Sequence, residues 1–387
     1  MRLWRVSSPP SLIRHLVLAG NPENYPTAMT ESMSDHASPI DGGKKPSVLT
    51  LLLRYGVPLV ITVGLCYLLF TGIDFKEMVG IIRDYCNFWW IGLGWILSIF
   101  SHVFRAMRWR IQLKALDINV PLYILVYSIF GTYAVNLVFP RLGEVWRTGY
   151  IAKRENASFT AVFGSMVAER LADTLTVLLL TLVTFVLASS EMDRYLAQNP
   201  DAAESVNAIV TNPWLWTAVG VAVVGIWLLF TRFPDNKLLR KIKSMWLGLW
   251  GGFAVILKMP GKGRWILLTL ALWGCYFTQL YIAFHAFSFT TQIIHDYSIL
   301  AVLVTFVLSS ISMGVPSNGG IGPWQWSVIF ALSFYSAGII LPDGVSFKDM
   351  STSFANLVMG TNTLLLIILG IITFVAISID KRSLRSK

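Results

Sequence analysis

Asn136-Leu-Val-Phe-Pro140-Arg-Leu-Gly143-Glu-Val-Trp-Arg147 and Gly314-Val-Pro316-Ser-Asn318-Gly319-Gly320-Ile-Gly322-Pro323-Trp324 break two hydrophobic segments at corresponding places in the chain. Proline and glycine clusters of this kind stop a helix. In a chain built for a membrane, two such interruptions in matching halves point to a binding site near the bilayer midplane.

The composition places the chain in a membrane. Of 387 residues, 55% are hydrophobic and 13% charged; a soluble domain averages about 45–50% apolar and about 25% charged. The net charge of +10 does not indicate nucleic acid, because the basic residues gather at the ends of apolar runs, where they face anionic lipid. Cys66, Cys86 and Cys275 form neither a disulfide framework nor a metal cluster, and no metal or other cofactor is expected. Residues 1–46 are rich in Pro, Ser and Asn and read as a disordered cytoplasmic tail, with Met29 and Met33 as alternative starts.

About 20 apolar residues are needed to cross a bilayer. Val48–Phe70, Asn87–Met107, Phe163–Ala188, Trp214–Phe230, Trp265–Phe289 and Phe354–Ile379 meet that length. Leu122–Phe139 stops at Pro140. Leu300–Val315 stops at Pro316 and resumes over Trp324–Leu341.

Loop charges orient these segments, since Lys and Arg stay cytoplasmic. The stretch from Arg232 to Arg264 is basic apart from Asp235, and the tail after Ile379 is basic too. Arg105, Arg108, Arg110 and Lys114 mark another cytoplasmic turn. Residues 189–212 carry Glu191, Asp193, Asp201 and Glu204 against Arg194 and lie outside, as do Asp343 and Asp349 and the loop Thr71–Asn87.

These signs close on one topology. The chain is an all-α polytopic membrane protein with about six full transmembrane helices and two re-entrant hairpins, over 121–156 and 298–341. Repeat 1 spans 47–188 and repeat 2 spans 213–379, of opposite orientation, an inverted repeat of four plus four elements. Both termini, including the basic tail 380–387, are cytoplasmic, in a cytoplasmic membrane of bacterial type. The alternative, each hairpin as two full spans, fits only the longer second one. Irregular backbone is tolerated at this depth only against protein or a wet cavity, so the two tips should meet.

The first hairpin carries Arg141, Glu144 and Arg147, and the next span carries Glu169, Arg170 and Asp173. Spacings of three and four put those last residues on neighbouring parts of one helix surface. A charge at that depth costs at least about 2.5–3.5 kcal/mol and persists only when paired or facing a polar cavity. Arginines steadied by carboxylates suit an anionic headgroup; an internal network that only fixes the hairpin is the alternative. Gly319, Gly320 and Gly322 permit tight backbone angles, and Asn318 is a candidate helix cap. Asn136, Asn356 and Asn362 fit interhelical hydrogen bonding, and His102 and His285 fit packed positions. Residues 237–257 read as an amphipathic helix on the anionic inner leaflet, with a calmodulin-like partner as the alternative.

Taken together, Asn136…Pro140-Arg-Leu-Gly143-Glu144…Arg147, Ala168-Glu169-Arg170-Leu-Ala-Asp173 and Pro316-Ser-Asn-Gly-Gly320-Ile-Gly322 resemble the lysylphosphatidylglycerol synthase transmembrane-region family of lipid flippases, over roughly residues 48–380. The resemblance implies translocation of an anionic or polyisoprenyl-phosphate-linked lipid through a pocket between the hairpin tips. With no synthase domain after the last span, it does not imply aminoacyl transfer, and the chain is not expected to be an enzyme. Pro323-Trp324-Gln325 departs from the pattern: a small residue and a Glu would be expected after the glycines. Two other readings stay open, an integral membrane enzyme on lipid-linked substrates and a scaffold that recruits a cytoplasmic lipid-synthesis enzyme through 237–257. No Gly-x4-Gly-Lys-Ser/Thr run is present to bind ATP phosphates.

Overall fold

The structure is a computed structural model that describes residues 75–139, 141–189, 211–232, 259–315, 317 and 319–385, with isolated positions between 196 and 208. The expected tail 1–46, the span Val48–Phe70, the amphipathic stretch 237–257, and Pro140, Pro316 and Asn318 lie outside the described residues. The chain divides into residues 1–53 and 54–387, and every described residue belongs to the second unit.

Among the described residues there are ten principal helices and no strand. They are α1 (Phe75–Tyr85), α2 (Phe88–Lys114), α3 (Leu122–Val138), α4 (Leu142–Arg154), α5 (Phe159–Leu187), α6 (Pro213–Arg232), α7 (Lys262–Phe284), α8 (Ser288–Ser312), α9 (Pro323–Ser333) and α10 (Phe347–Arg385). By length and hydropathy α2, α5, α7, α8 and residues 347–379 of α10 can each cross a bilayer. Their outer surfaces are correspondingly apolar: Leu178, Leu182 and Phe185 of α5, Leu267 and Leu270 of α7, and Ile371 and Val375 of α10 are all exposed. A protein in water would not carry such continuous apolar surface.

The packing has a two-fold logic. Helix α2 lies against α7. Four further pairs of neighbours exchange under the pairing of α2, α3, α4 and α5 with α7, α8, α9 and α10: α2–α3 with α7–α8, α3–α4 with α8–α9, α4–α5 with α9–α10, and α3–α10 with α8–α5; the contact of α1 with α10 lies outside this pattern. Each half contains a helix–turn–helix unit whose legs are short. At 1.5 Å per residue, α3, α4 and α9 extend roughly 25, 20 and 16 Å, below the roughly 30 Å hydrocarbon thickness.

Helix α8 is divided as well. Ser298 has φ 63° and ψ −172°, which breaks the axis into 288–297 and 299–312, roughly 15 and 21 Å long. The leg expected to begin near Leu300 is thus preceded by another helical segment. The expected span Trp265–Phe289 ends instead at Phe284, whose carbonyl accepts the Thr290 hydroxyl at 2.6 Å and that of Thr291 at 3.3 Å. Those hydroxyls satisfy a carbonyl that the helix end leaves free, and α8 starts immediately afterward.

Other boundaries also differ from the sequence reading. The loop Thr71–Asn87 contains α1, which buries Ile81 and leaves Phe75 and Val79 exposed; its apolar residues recur at helical spacing. Asp349 sits in the first turn of α10 and its N–H donates to Ser346 Oγ at 3.1 Å, because Ser346-x-x-Asp349 forms an N-terminal cap. Helix α2 runs to Lys114, well past Met107, so Arg105 and Arg108 are helix residues and not part of a turn.

Each half has its own core. Around the first hairpin, Trp109, Leu113, Ile124, Leu125, Ile129 and Ile151 pack together. In the second half, Phe284, Phe287 and Phe289 meet Phe354 edge to face, with ring centroids 5.4–6.3 Å apart, the arrangement that aromatic quadrupoles favour.

Candidate functional site

The first hairpin closes through a backbone-to-side-chain bond. The Gly143 N–H donates to Asn136 Oδ1 at 2.8 Å, and any side chain at Gly143 would overlap the Thr132 carbonyl. Asn136 therefore ties α3 to α4, the interhelical hydrogen bond expected of it, made within the hairpin. Arg141 precedes α4 with φ 62°. Its side chain is exposed and donates through Nη2 to the Gly314 carbonyl at 3.0 Å. Leu137 lies against Gly319, where a Cβ would come within 2.9 Å of Leu137 Cδ2. The two tips meet, as irregular backbone at this depth requires.

Gly319, Gly320 and Gly322 all have positive φ, 65°, 88° and 96°, a conformation that glycine takes without the Cβ clash. Gln325 then closes the second tip. Its Oε1 accepts the Gly322 N–H at 2.7 Å, and its Nε2 donates to Asn356 Oδ1 at 3.4 Å. An ionised Glu at this position has no donor for Asn356, so the departure noted in the sequence has a structural counterpart. Asn362 accepts from Ser98 Oγ at 3.0 Å and from Gln279 Nε2 at 3.4 Å, bridging three helices as its residue type suggests.

Beside the first tip lies a buried charge cluster. Residues Arg105 and Arg108 are one helical turn apart on α2, Glu144 and Arg147 one turn apart on α4, and Glu169, Arg170 and Asp173 come from α5. Glu169 is its hub and is fully buried. Its carboxylate meets Arg105 at 3.6 Å, Arg108 at 3.2 Å, Arg147 at 3.4 Å and Arg170 at 3.1 Å. Asp173 meets Arg108 at 2.8 Å, Arg170 at 3.4 Å and Arg105 at 3.6 Å. Glu144 faces Arg170 at 3.8 Å.

Aromatic rings and hydroxyls complete the walls. The Arg147 guanidinium lies 4.4 Å from the Trp109 ring centroid, and that of Arg108 lies 5.4 Å from the Trp265 centroid. These are cation–π distances. Arg105 donates to the Tyr276 hydroxyl at 3.1 Å and Arg108 to Thr269 Oγ1 at 3.5 Å. His102 packs against Tyr133 and Phe130, and His285 against Trp90 and Tyr281, the packed roles expected of both.

The charges do not cancel. Four guanidiniums against three carboxylates leave one positive charge when all are ionised. The Nε atoms of Arg105, Arg108, Arg147 and Arg170 have no hydrogen-bond partner among the described residues. Both Asp173 oxygens likewise lack a hydrogen-bond partner there, and unmatched buried charge is expensive at low dielectric. The site is graded in depth: Arg108 and Glu169 are sealed, while the Arg170 side chain is 36% exposed.

The sequence reading brought Glu144, Arg147, Glu169, Arg170 and Asp173 together correctly in space. It placed Arg141 in the same pocket, whereas Arg141 reaches the other tip. It missed Arg105 and Arg108, whose spacing of three, in line with His102, is the signal that would have marked a helix face.

The fold and this cluster define an all-α, multi-pass membrane protein with a charged site at a hairpin tip. Residues 56–370 match the family described as lysylphosphatidylglycerol synthase TM region, and the chain belongs to that family. No curated protein and no solved structure matches the chain.

Proposed function

We propose that the protein is a lipid translocase, without enzymatic activity, that moves an anionic or polyisoprenyl-phosphate-linked headgroup across a cytoplasmic membrane through a pocket at the meeting hairpin tips. One observation carries the reading: a net-positive cluster of Arg105, Arg108, Arg147 and Arg170, held by Glu169 and Asp173, lies among helices α2, α4 and α5 beside a hairpin. Family membership supports a role in lipid handling. Guanidiniums bind phosphate through paired N–H donors, and Arg170 is the member open enough to meet a headgroup first. Acyl or prenyl tails would remain in the bilayer through a lateral opening. The two-fold packing supports rocking of one half against the other. Glu169 or Asp173 is the candidate proton carrier if a gradient drives the cycle. Membrane lipids are the partners, with the anionic inner leaflet contacted by 237–257.

The test is reconstitution into vesicles with trace headgroup-labelled phosphatidylglycerol and a neutral-lipid control, read by bleaching the outer leaflet with an impermeant reductant. Wild type should expose inner-leaflet label and Arg170→Ala should not, although it remains folded, with thermal unfolding only slightly lowered. Translocation equal in wild type and Arg170→Ala would sink the headgroup role.

A further inference from the structure

Helix α4 has a second face that the charged cluster does not use. Glu144, Arg147, Thr148 and Ile151 point inward. Val145, Trp146, Gly149, Tyr150 and Lys153 occupy the other side, at helical spacing. That outer side lines a laterally open groove of about 760 Å³ between α3, α4 and α10, within the roughly 300–1,000 Å³ of small-molecule sites.

The groove is built by close packing at one end. Gly370 of α10 lies so near α3 that a Cβ there would come within 2.5 Å of the Ala134 Cβ. Gly131 leaves room for the Trp146 ring, which a Cβ at that position would strike at 2.5 Å. Trp146 and Tyr150 stack with planes 2° apart, and Phe374 meets Trp146 edge-on at 5.5 Å. The walls are therefore flat and apolar. Among the described residues the one charged member of the lining is Lys153, in the last turn of α4. It is exposed and makes no ion pair among the described residues, whereas the adjacent Arg154 is paired with Glu155 at 3.7 Å.

We infer that this groove binds an anionic phospholipid, one acyl chain lying along Trp146 and Tyr150 and the phosphate resting on Lys153. An apolar trough ending in a single cation matches an amphiphile with one anionic head, and a zwitterionic lipid gains less from the lysine. The site deepens the translocase reading, as the place where substrate leaves the bilayer, and rests on that reading only for this role.

The experiment measures binding, so it fails separately from transport. The purified full chain in detergent is given equal phosphatidylglycerol and phosphatidylcholine, and retained lipid is counted by native mass spectrometry. Wild type should favour phosphatidylglycerol about fivefold more than Lys153→Gln does, the factor one lysine near an anionic surface contributes. Gly149→Leu should strip both lipids. A Cβ at Gly149 meets nothing closer than Phe159 at 4.0 Å, and an unfolding midpoint no lower than wild type's is the control that the longer side chain leaves the fold intact. A headgroup preference unchanged by Lys153→Gln, or lipid retention unchanged by Gly149→Leu, overturns the proposal.

Discussion

The guanidinium of Arg141, on the first hairpin, donates to the carbonyl of Gly314, on the second, at 3.0 Å. This bond links the tips of the two halves, and it comes from a residue held at φ 62°. A left-handed non-glycine residue costs roughly 1–2 kcal/mol. Arg141→Gly should therefore lose the link yet recover backbone strain, and Arg141→Ala should lose the link and keep the strain. Thermal unfolding in detergent should rank Arg141→Gly above Arg141→Ala, while both fall below wild type in the vesicle assay.

Glu169 is the carboxylate on which four arginines converge. Breaking a buried pair leaves uncompensated charge, at about 3–5 kcal/mol. Glu169→Gln should lose stability on that scale. Arg170→Ala, at a side chain 36% exposed, should lose about 1 kcal/mol or less. Denaturant titration of both variants checks the ranking; equal losses would mean the cluster is not organised around Glu169.

Gly143 and Gly149 lie on the same short helix in opposite circumstances. A Cβ at Gly143 would overlap the Thr132 carbonyl, and one at Gly149 has space. Gly143→Ala should destabilise by about 1–3 kcal/mol or more through overpacking. Gly149→Ala should stabilise by about 0.5–1 kcal/mol, the helix-interior penalty of glycine. Unfolding midpoints of the pair decide it.

Gln325 uses both ends of its amide, accepting from Gly322 and donating to Asn356. Gln325→Glu should cost about 1–3 kcal/mol, the penalty for a buried polar group left unmatched. Gln325→Glu with Asn356→Asp should be worse still, since it sets two carboxylates together. A double variant more stable than Gln325→Glu alone would refute this account of the tip.

Burial pushes the Cys86 thiol up to about 11, because a less solvated site disfavours the thiolate. In a Cys66→Ser, Cys275→Ser background, maleimide labelling of Cys86 should be slow at pH 8. It should climb about tenfold per pH unit until near pH 11, since the thiolate is the reacting form. A plateau reached by pH 9 would contradict it.

The hairpins were legible in the sequence because their signals are local: a proline at 140, a run of glycines from 319, and apolar stretches too short to cross. Glu144, Arg147, Glu169, Arg170 and Asp173 stood out as charges within apolar surroundings. Arg105 and Arg108 did not, because the apolar run ahead of them ends in a basic cluster that looks like a loop. Only their partners on α5 show them to be interior, and no local window spans that distance. The break at Ser298 carries no proline or glycine, and α1 was hidden by acidic residues that read as loop.

Arg108 and Glu169 are 61 positions apart in the chain. During synthesis, α2 therefore reaches the membrane with two arginines whose counter-ions have not yet been made. An uncompensated charge opposes insertion, by about 2.5–3.5 kcal/mol at a helix centre and less toward its end, so α2 is held less firmly on its own. Its final burial is completed only when α5 supplies Glu169 and Asp173, which couples the assembly of these two helices. A chain halted before Glu169 should remain extractable from membranes, and one halted after Asp173 should not.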